Sequence, residues 1–284
     1  MTGPAGHLAG DASHGKSRGG DEMSGLLKGK VAVVSGIGPG LGRSIARLFA
    51  AHGADLVLGA RRTDHLRSVT AEVGEIGRRA VWRPTDITDP AQCVALAELA
   101  EREFGRIDVL VNNAFTSGAP RTTAEDADLA WWRSVMEVNY WGALHMTRAA
   151  LPALKAAGDG RVVMINAMAT RRVRPTWGAY VGSKSALAGI TKTLAVELGP
   201  SGIRVNAIHP GYIYADVVQD MFRSQAAERG VDVQVVYDEV AAETCLKYLP
   251  EPDEIAGSVL FLVSDLARPV TGESLDVNAG HWLR

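Results

Sequence analysis

VAVVSGIGPGLGRSIARLFAAHGADLVLGA, residues 31–60, reads as a strand, a glycine turn, a helix and a second strand. VAVVS (31–35) and ADLVLGA (54–60) are near-continuous apolar runs, the kind found in strands buried on both faces. Glycines at the turn let the backbone approach a ligand closely. The helix they open, RSIARLFAAHG, offers its N–H groups and the positive end of its dipole to an anion. Ser35, Gly36, Gly38, Gly40, Leu41 and Gly42 thus form a candidate cradle for a dinucleotide pyrophosphate. The spacing Gly-x-x-x-Gly-x-Gly from Gly36 differs from the Gly-x-Gly-x-x-Gly fingerprint, so the weight rests on the strand-turn-helix context.

The same rhythm continues down the chain. AVWRP (80–84), DVLVNN (108–113), RVVMIN (161–166), IRVNAI (203–208) and ESLDVN (273–278) alternate with helical patterns. Strands separated by helices mean right-handed βαβ crossovers and a parallel sheet covered on both faces. The sequence therefore predicts a single-domain α/β fold over residues 26–284, a Rossmann-like doubly wound sheet of about seven parallel strands. Residues 211–249 break the rhythm with a long, polar, helix-prone insertion, expected to be a helical lid over the ligand crevice. Residues 1–25, rich in Gly, Ser, Asp and His, are expected to be a disordered extension, with Met23 a candidate start of a shorter product.

Composition narrows the partners. With 30 basic against 32 acidic residues there is no field to draw nucleic acid or an anionic membrane, and no apolar run approaches the roughly 20 residues that span a bilayer. Two distant cysteines, Cys93 and Cys245, suggest neither a disulfide framework nor a metal site. A cytoplasmic protein with a small-molecule substrate is the expectation.

The end of the second strand bears on the nicotinamide cofactor. An acidic residue there would hold the adenosine ribose of NAD, but the sequence reads Gly59-Ala60-Arg61-Arg62. Arg61 or Arg62, with Arg43 of the turn, can pair with a 2′-phosphate, so NADP is favoured over NAD, against the alternative of solvated arginines. Asp86 and Ile87 follow the third strand, where Asp86 would cap the adenine amine. Asn112, Asn113 and Ala114 follow the fourth, bordering the cofactor ribose or simply forming a turn.

Tyr180 and Lys184 stand one helical turn apart and share a face. The ammonium is expected to lower the tyrosine's pKa toward neutrality, suiting it to donate a proton to a carbonyl oxygen.

With SGIGPGLG, DVLVNNA, MEVNYWG, YVGSK and the IHPG turn at 208–211 in that order, the chain from about Lys28 onward resembles the short-chain dehydrogenase/reductase family. The resemblance implies that Tyr180 is the general acid or base, that Lys184 binds the nicotinamide ribose and tunes the tyrosine, and that Asn139 holds a water of the proton relay. It also places Pro210 and Gly211 beside the cofactor. A homodimer or homotetramer is implied, packed through helices at about 129–157 and 178–199 with HWLR near a contact.

The departures are as informative. Ala167 stands where the family usually has a serine that steadies the substrate oxygen, Phe115 replaces a glycine, and Ala215 replaces a threonine that touches the carboxamide. Thr170, Ser183, a water or the substrate itself are left to compensate. Met168, Trp177, Tyr212 and Tyr214 are expected to form an apolar wall, which Trp141 either joins or leaves to pack a helix interface, with Ala167 on the substrate side. Arg171, Arg172 and Arg174 either attract an anionic handle or are solvated, and His209 is expected in a turn. Three readings follow: an NADP-dependent carbonyl/alcohol oxidoreductase, an enoyl-thioester reductase that dispenses with the serine, and a catalytically silent NADP-binding protein.

Overall fold

The computed structural model describes residues 25–283; the expected N-terminal extension lies, but for Gly25, outside the described residues. Seven parallel strands form one sheet in the order β3-β2-β1-β4-β5-β6-β7. They are β1 (Val31–Ser35), β2 (Asp55–Ala60), β3 (Ala80–Pro84), β4 (Val109–Asn112), β5 (Arg161–Ile165), β6 (Arg204–Pro210) and β7 (Ser274–Val277). Each lies within about a residue or two of its expected position, because a strand buried on both faces is written as an apolar run.

Side-chain alternation divides the runs between two cores. Ala32 and Val34 of β1 face one layer, where helices α1 (Leu41–Ala51) and α2 (Thr63–Glu75) contribute Phe49 and Leu66. Val31 and Val33 face the other, where α3 (Pro90–Phe104) contributes Leu96. α3 has clear sequence stops: the Asp89 side chain accepts from Ala91 N–H, Pro90 occupies the first turn, and Gly105 ends it in the left-handed conformation at φ 75°.

A long helical stretch on this second layer is not uniform. α4 (Leu129–Met136) runs into a π-helical segment, Glu137–Gly142, before α5 (Ala143–Ala157) resumes. α6 (Gly178–Leu198) packs beside it, and α9 (Pro252–Val263) closes the first layer against α1. The insertion after β6 forms α7 (Asp216–Arg229) and α8 (Val233–Ala242). These bury their own cluster of Phe222, Ala226, Val236, Ala241 and Leu249.

The strand order reverses between β1 and β4, so their carboxyl ends splay the following loops and open the crevice where ligands bind in such sheets. No helix among the described residues is long and apolar enough to cross a membrane.

Candidate active site

The nucleotide cradle is built from backbone. Gly36 adopts φ +99°, and a Cβ there would fall 2.3 Å from the Ala114 nitrogen, so β1 and β4 approach too closely for any side chain. Asn113 reinforces this contact by donating from Nδ2 to the Gly36 carbonyl at 2.6 Å. A Cβ on Gly42 would stand 2.3 Å from the Gly36 oxygen, whereas one on Gly38 would meet nothing within 4 Å. The glycines thus divide by role: 36 and 42 permit chain packing, and 38 keeps space open. No side chain caps the N-terminus of α1, and its first turn carries no acid. An uncapped helix end behind an open glycine turn fits a dinucleotide pyrophosphate.

The ribose side is more selective than the sequence suggested. Arg43 donates from Nε to both Glu72 oxygens, at 3.0 and 2.9 Å, and Arg62 pairs with Asp64 at 2.7 Å. Arg61 is exposed and its side chain makes no hydrogen bond or ion pair among the described residues, which singles it out at the β2 end. Asp86 Oδ1 accepts from both N–H and O–H of Thr88, at 3.0 and 2.8 Å. Ile87 is buried against Gly142. Asn112 turns away from the crevice: its Nδ2 donates to Thr147 Oγ1 at 3.0 Å, within the layer of α5. Gly211 N–H donates to Val277 O at 3.1 Å, seating the Pro210-Gly211 turn on β7.

Tyr180 and Lys184 lie one turn apart near the start of α6. Lys184, only 2% exposed, donates from Nζ to the Ile165 carbonyl at 2.8 Å. Burial pushes its ammonium down to about 7. Burial likewise pushes the Tyr180 phenol above its ordinary value, with the Arg121 guanidinium opposing. This corrects the expected lowering by Lys184: desolvation raises the phenol, and the charge that opposes it is Arg121, not Lys184. Phe115, 52% exposed, meets Tyr180 edge-on at 6.5 Å between centroids, so it borders the crevice as a wall.

Asn139 lies inside the π-helical segment, a geometry that often marks functional positions. Its Oδ1 accepts from Thr116 N–H at 2.8 Å, and its Nδ2 donates to Thr116 O and to Ser183 Oγ, both at 3.0 Å. Both amide hydrogens are thereby used to clamp the loop after β4 onto α6.

Ala167 leaves β5 in extended backbone at φ −157° and is 8% exposed. The expected substitutes for its missing hydroxyl are engaged elsewhere. Thr170 Oγ1 donates to the Ala167 carbonyl at 2.9 Å, and Ser183 Oγ donates to the Tyr180 carbonyl at 2.8 Å. His209 does not sit in a turn: it is the penultimate residue of β6, 1% exposed, with Nδ1 3.2 Å from both Ala167 O and Thr170 Oγ1.

The substrate side is only partly as expected. Trp177 meets Tyr180 edge-on at 5.8 Å, Met168 is buried, and Tyr212 stacks on His281 at 5.7 Å. Tyr214 instead packs with Tyr237 and Phe222 inside the insertion, and Trp141 is 43% exposed beside Tyr140. Arg171 binds Asp276 at 2.6 Å and Arg172 binds Glu243 at 2.6 Å and His281, so two of the three loop arginines are structural pairs. Arg121, which sequence reasoning missed, stacks its guanidinium 3.6 Å from the Trp177 ring centroid. No periodicity or motif marks it. No cluster of metal-ligating side chains occurs among the described residues.

Comparison with known proteins agrees with this geometry. The profile of a family described as "Enoyl-(Acyl carrier protein) reductase" matches residues 36–281. Oxidoreductase UcpA of Salmonella typhimurium is 36% identical over 91% of this chain and 97% of its own length. The crystal structure of L-sorbose reductase from Gluconobacter frateurii with NADPH and L-sorbose superposes with a TM-score of 0.86 at 30% identity, covering 91% of this chain and 98% of that one. NAD+-bound xylitol dehydrogenase does so at 0.81 and 30% identity, covering 88% and 98%. The glycine cradle at the strand-order reversal, the Tyr-x-x-x-Lys pair beneath it and these full-length likenesses converge: the chain belongs to the short-chain dehydrogenase/reductase family of oxidoreductases.

Proposed function

We propose that the protein is an NADP(H)-dependent oxidoreductase acting on a carbonyl/alcohol pair, with Tyr180 as general acid and base. The observation that supports this is that Phe115 meets both Tyr180 and Lys184, at 6.5 and 5.7 Å from its ring centroid, while Asn139 is tied to Ser183 on the same helix. The bound nicotinamide supplies or accepts the hydride. In reduction, the Tyr180 hydroxyl releases its proton to the substrate oxygen; in oxidation it takes that proton back. In this reading Lys184, whose Nζ donates to Ile165 O, binds the nicotinamide ribose. Asn139 fixes the loop carrying Phe115 and Thr116, and its water-holding role in the relay draws on acceptor capacity, because its side-chain hydrogens are spent. The availability of Arg61 supports NADP over NAD.

A second reading, an enoyl-thioester reductase, is favoured by Ala167 and by the description of the matched family profile. Initial rates of NADPH and NADH consumption separate the two, over neutral ketones, 3-oxoacyl thioesters and enoyl thioesters, for the native protein and Ala167→Ser. On the carbonyl reading, serine raises ketone reduction by up to the roughly 10²- to 10³-fold worth of one oxyanion donor. Turnover confined to enoyl substrates and unimproved by serine would establish the second reading. Cofactor binding without any turnover would leave a silent nucleotide-binding protein.

A cytoplasmic location belongs to this reading, supported by the two free cysteines, Cys93 and Cys245. So does a homodimer or homotetramer, supported by the exposed Trp141, Val196, Trp282 and Leu283 on the α4–α5 and α6 faces and the C-terminal segment. Light scattering that gave a monomer at micromolar concentration would contradict the assembly.

A further inference from the structure

Most cations around the crevice mouth are already neutralised: Arg171 by Asp276, Arg172 by Glu243, Arg43 by Glu72. Arg121 is not. Its guanidinium lies flat over Trp177 at 3.6 Å from the ring centroid, and no carboxylate contacts it among the described residues. The connection that carries it rests directly on the tyrosine, since a Cβ on Gly118 would stand 3.4 Å from that of Tyr180. Trp177 in turn meets Tyr180 edge-on at 5.8 Å. One indole therefore touches both an unneutralised cation and the tyrosine that carries the proton.

A second cation shares this mouth. Arg174 donates to the Tyr212 hydroxyl at 2.9 Å, and its charge opposes that of Arg121. Neither guanidinium has a carboxylate partner among the described residues, so an anion reaching this mouth meets two unneutralised charges.

We propose that Arg121, flanked by Arg174, binds the carboxylate of the substrate, and that the substrate is a short hydroxy or oxo acid whose carboxylate lies a few bonds from the reacting carbon. This inference rests on the carbonyl/alcohol reading and deepens it. A guanidinium fork matches the two oxygens of a carboxylate. The contact that Arg121 and Tyr180 share with Trp177 fits an anionic group close to the reaction centre. The phosphates of a carrier thioester stand many bonds from their thioester carbon and do not fit that spacing.

The test is a calorimetric titration of the NADPH-loaded protein with 3-hydroxybutyrate and with its uncharged methyl ester. NADPH and an alcohol cannot react with each other, so binding is read without turnover. The native protein is expected to bind the acid at least about tenfold more tightly than the ester, the worth of one charge-assisted contact. Arg121→Gln should bring the two within about twofold, and Arg121→Lys should restore part of the preference by charge alone. Equal binding of acid and ester to the native protein, binding of neither, or a preference that survives Arg121→Gln overturns the proposal. Tyr180-dependent reduction of neutral ketones is measured alongside. If that activity persists while the acid preference is absent, the carboxylate site alone is lost. If no hydride transfer occurs on any substrate, the function proposed above falls, and the titration still reads Arg121.

Discussion

Lys184 Nζ donates a 2.8 Å hydrogen bond to the carbonyl of Ile165, the last residue of β5. The side chain is thus fixed to the strand that leads into Ala167, in surroundings that disfavour its charge. An ammonium pushed from an ordinary 10.5 down to about 7 makes stability depend on pH. Between those values the unfolded chain holds the proton and the folded chain does not, so folding stability rises with pH across this window and is lost as pH falls through about 7. The effect is on the order of a few kcal/mol. Melting temperatures of the native protein and Lys184→Met should converge or cross as pH is raised from 7 to 10, the native protein gaining. Parallel curves would contradict this.

The raised phenol of Tyr180 sets a direction for the reaction. Reduction needs the protonated hydroxyl and should hold its rate across neutral pH. Alcohol oxidation needs the phenolate and should climb with pH, steeply on the alkaline side. Initial rates in both directions over one pH series give the comparison, and an oxidation rate that falls with rising pH would refute the assignment.

Arg61 is expected to decide cofactor choice, because Glu72 and Asp64 already occupy Arg43 and Arg62. Arg61→Ala should raise the KM for NADPH about tenfold or more while leaving that for NADH within about twofold. Glu72→Gln, which frees Arg43, should move NADPH the other way. Steady-state kinetics with both nucleotides test the pair of variants together.

Glycines of one turn should fail in different ways. Gly36→Ala combines a left-handed backbone with a contact 2.3 Å from Ala114 N, and should destabilise by about 2 kcal/mol or more in urea unfolding. Gly38→Ala meets nothing within 4 Å and should fold normally, yet weaken nucleotide binding by filling the open turn. Equal stability losses in the two variants would remove the distinction.

Much of this was legible in the sequence, and the rest was hidden for identifiable reasons. VAVVS and DVLVNN declare buried strands because both faces need apolar residues, and the glycine turn is explicit because only glycine tolerates the Gly36 contact. The π-helical turn at Asn139 changes backbone hydrogen bonding without changing composition, so nothing in EVNYWG marks it. Asn112 and Asn113 are adjacent and identical in type, but strand alternation sends the first to Thr147 and the second to Gly36. Arg171 and Arg172 look available because Asp276 and Glu243 lie far downstream in the chain. Arg121 looks ordinary because its significance comes from Trp177, a contact that only folding creates.

Phe222, Val236 and Leu249 give the segment after β6 an interior separate from the two layers flanking the sheet. Such a segment is a cassette: it can be exchanged, lengthened or rewritten while β1 to β7 keep their register and the proton-moving pair keeps its seat. The insertion and the sheet thus draw their packing from different stretches of apolar sequence, so one can drift without loosening the other.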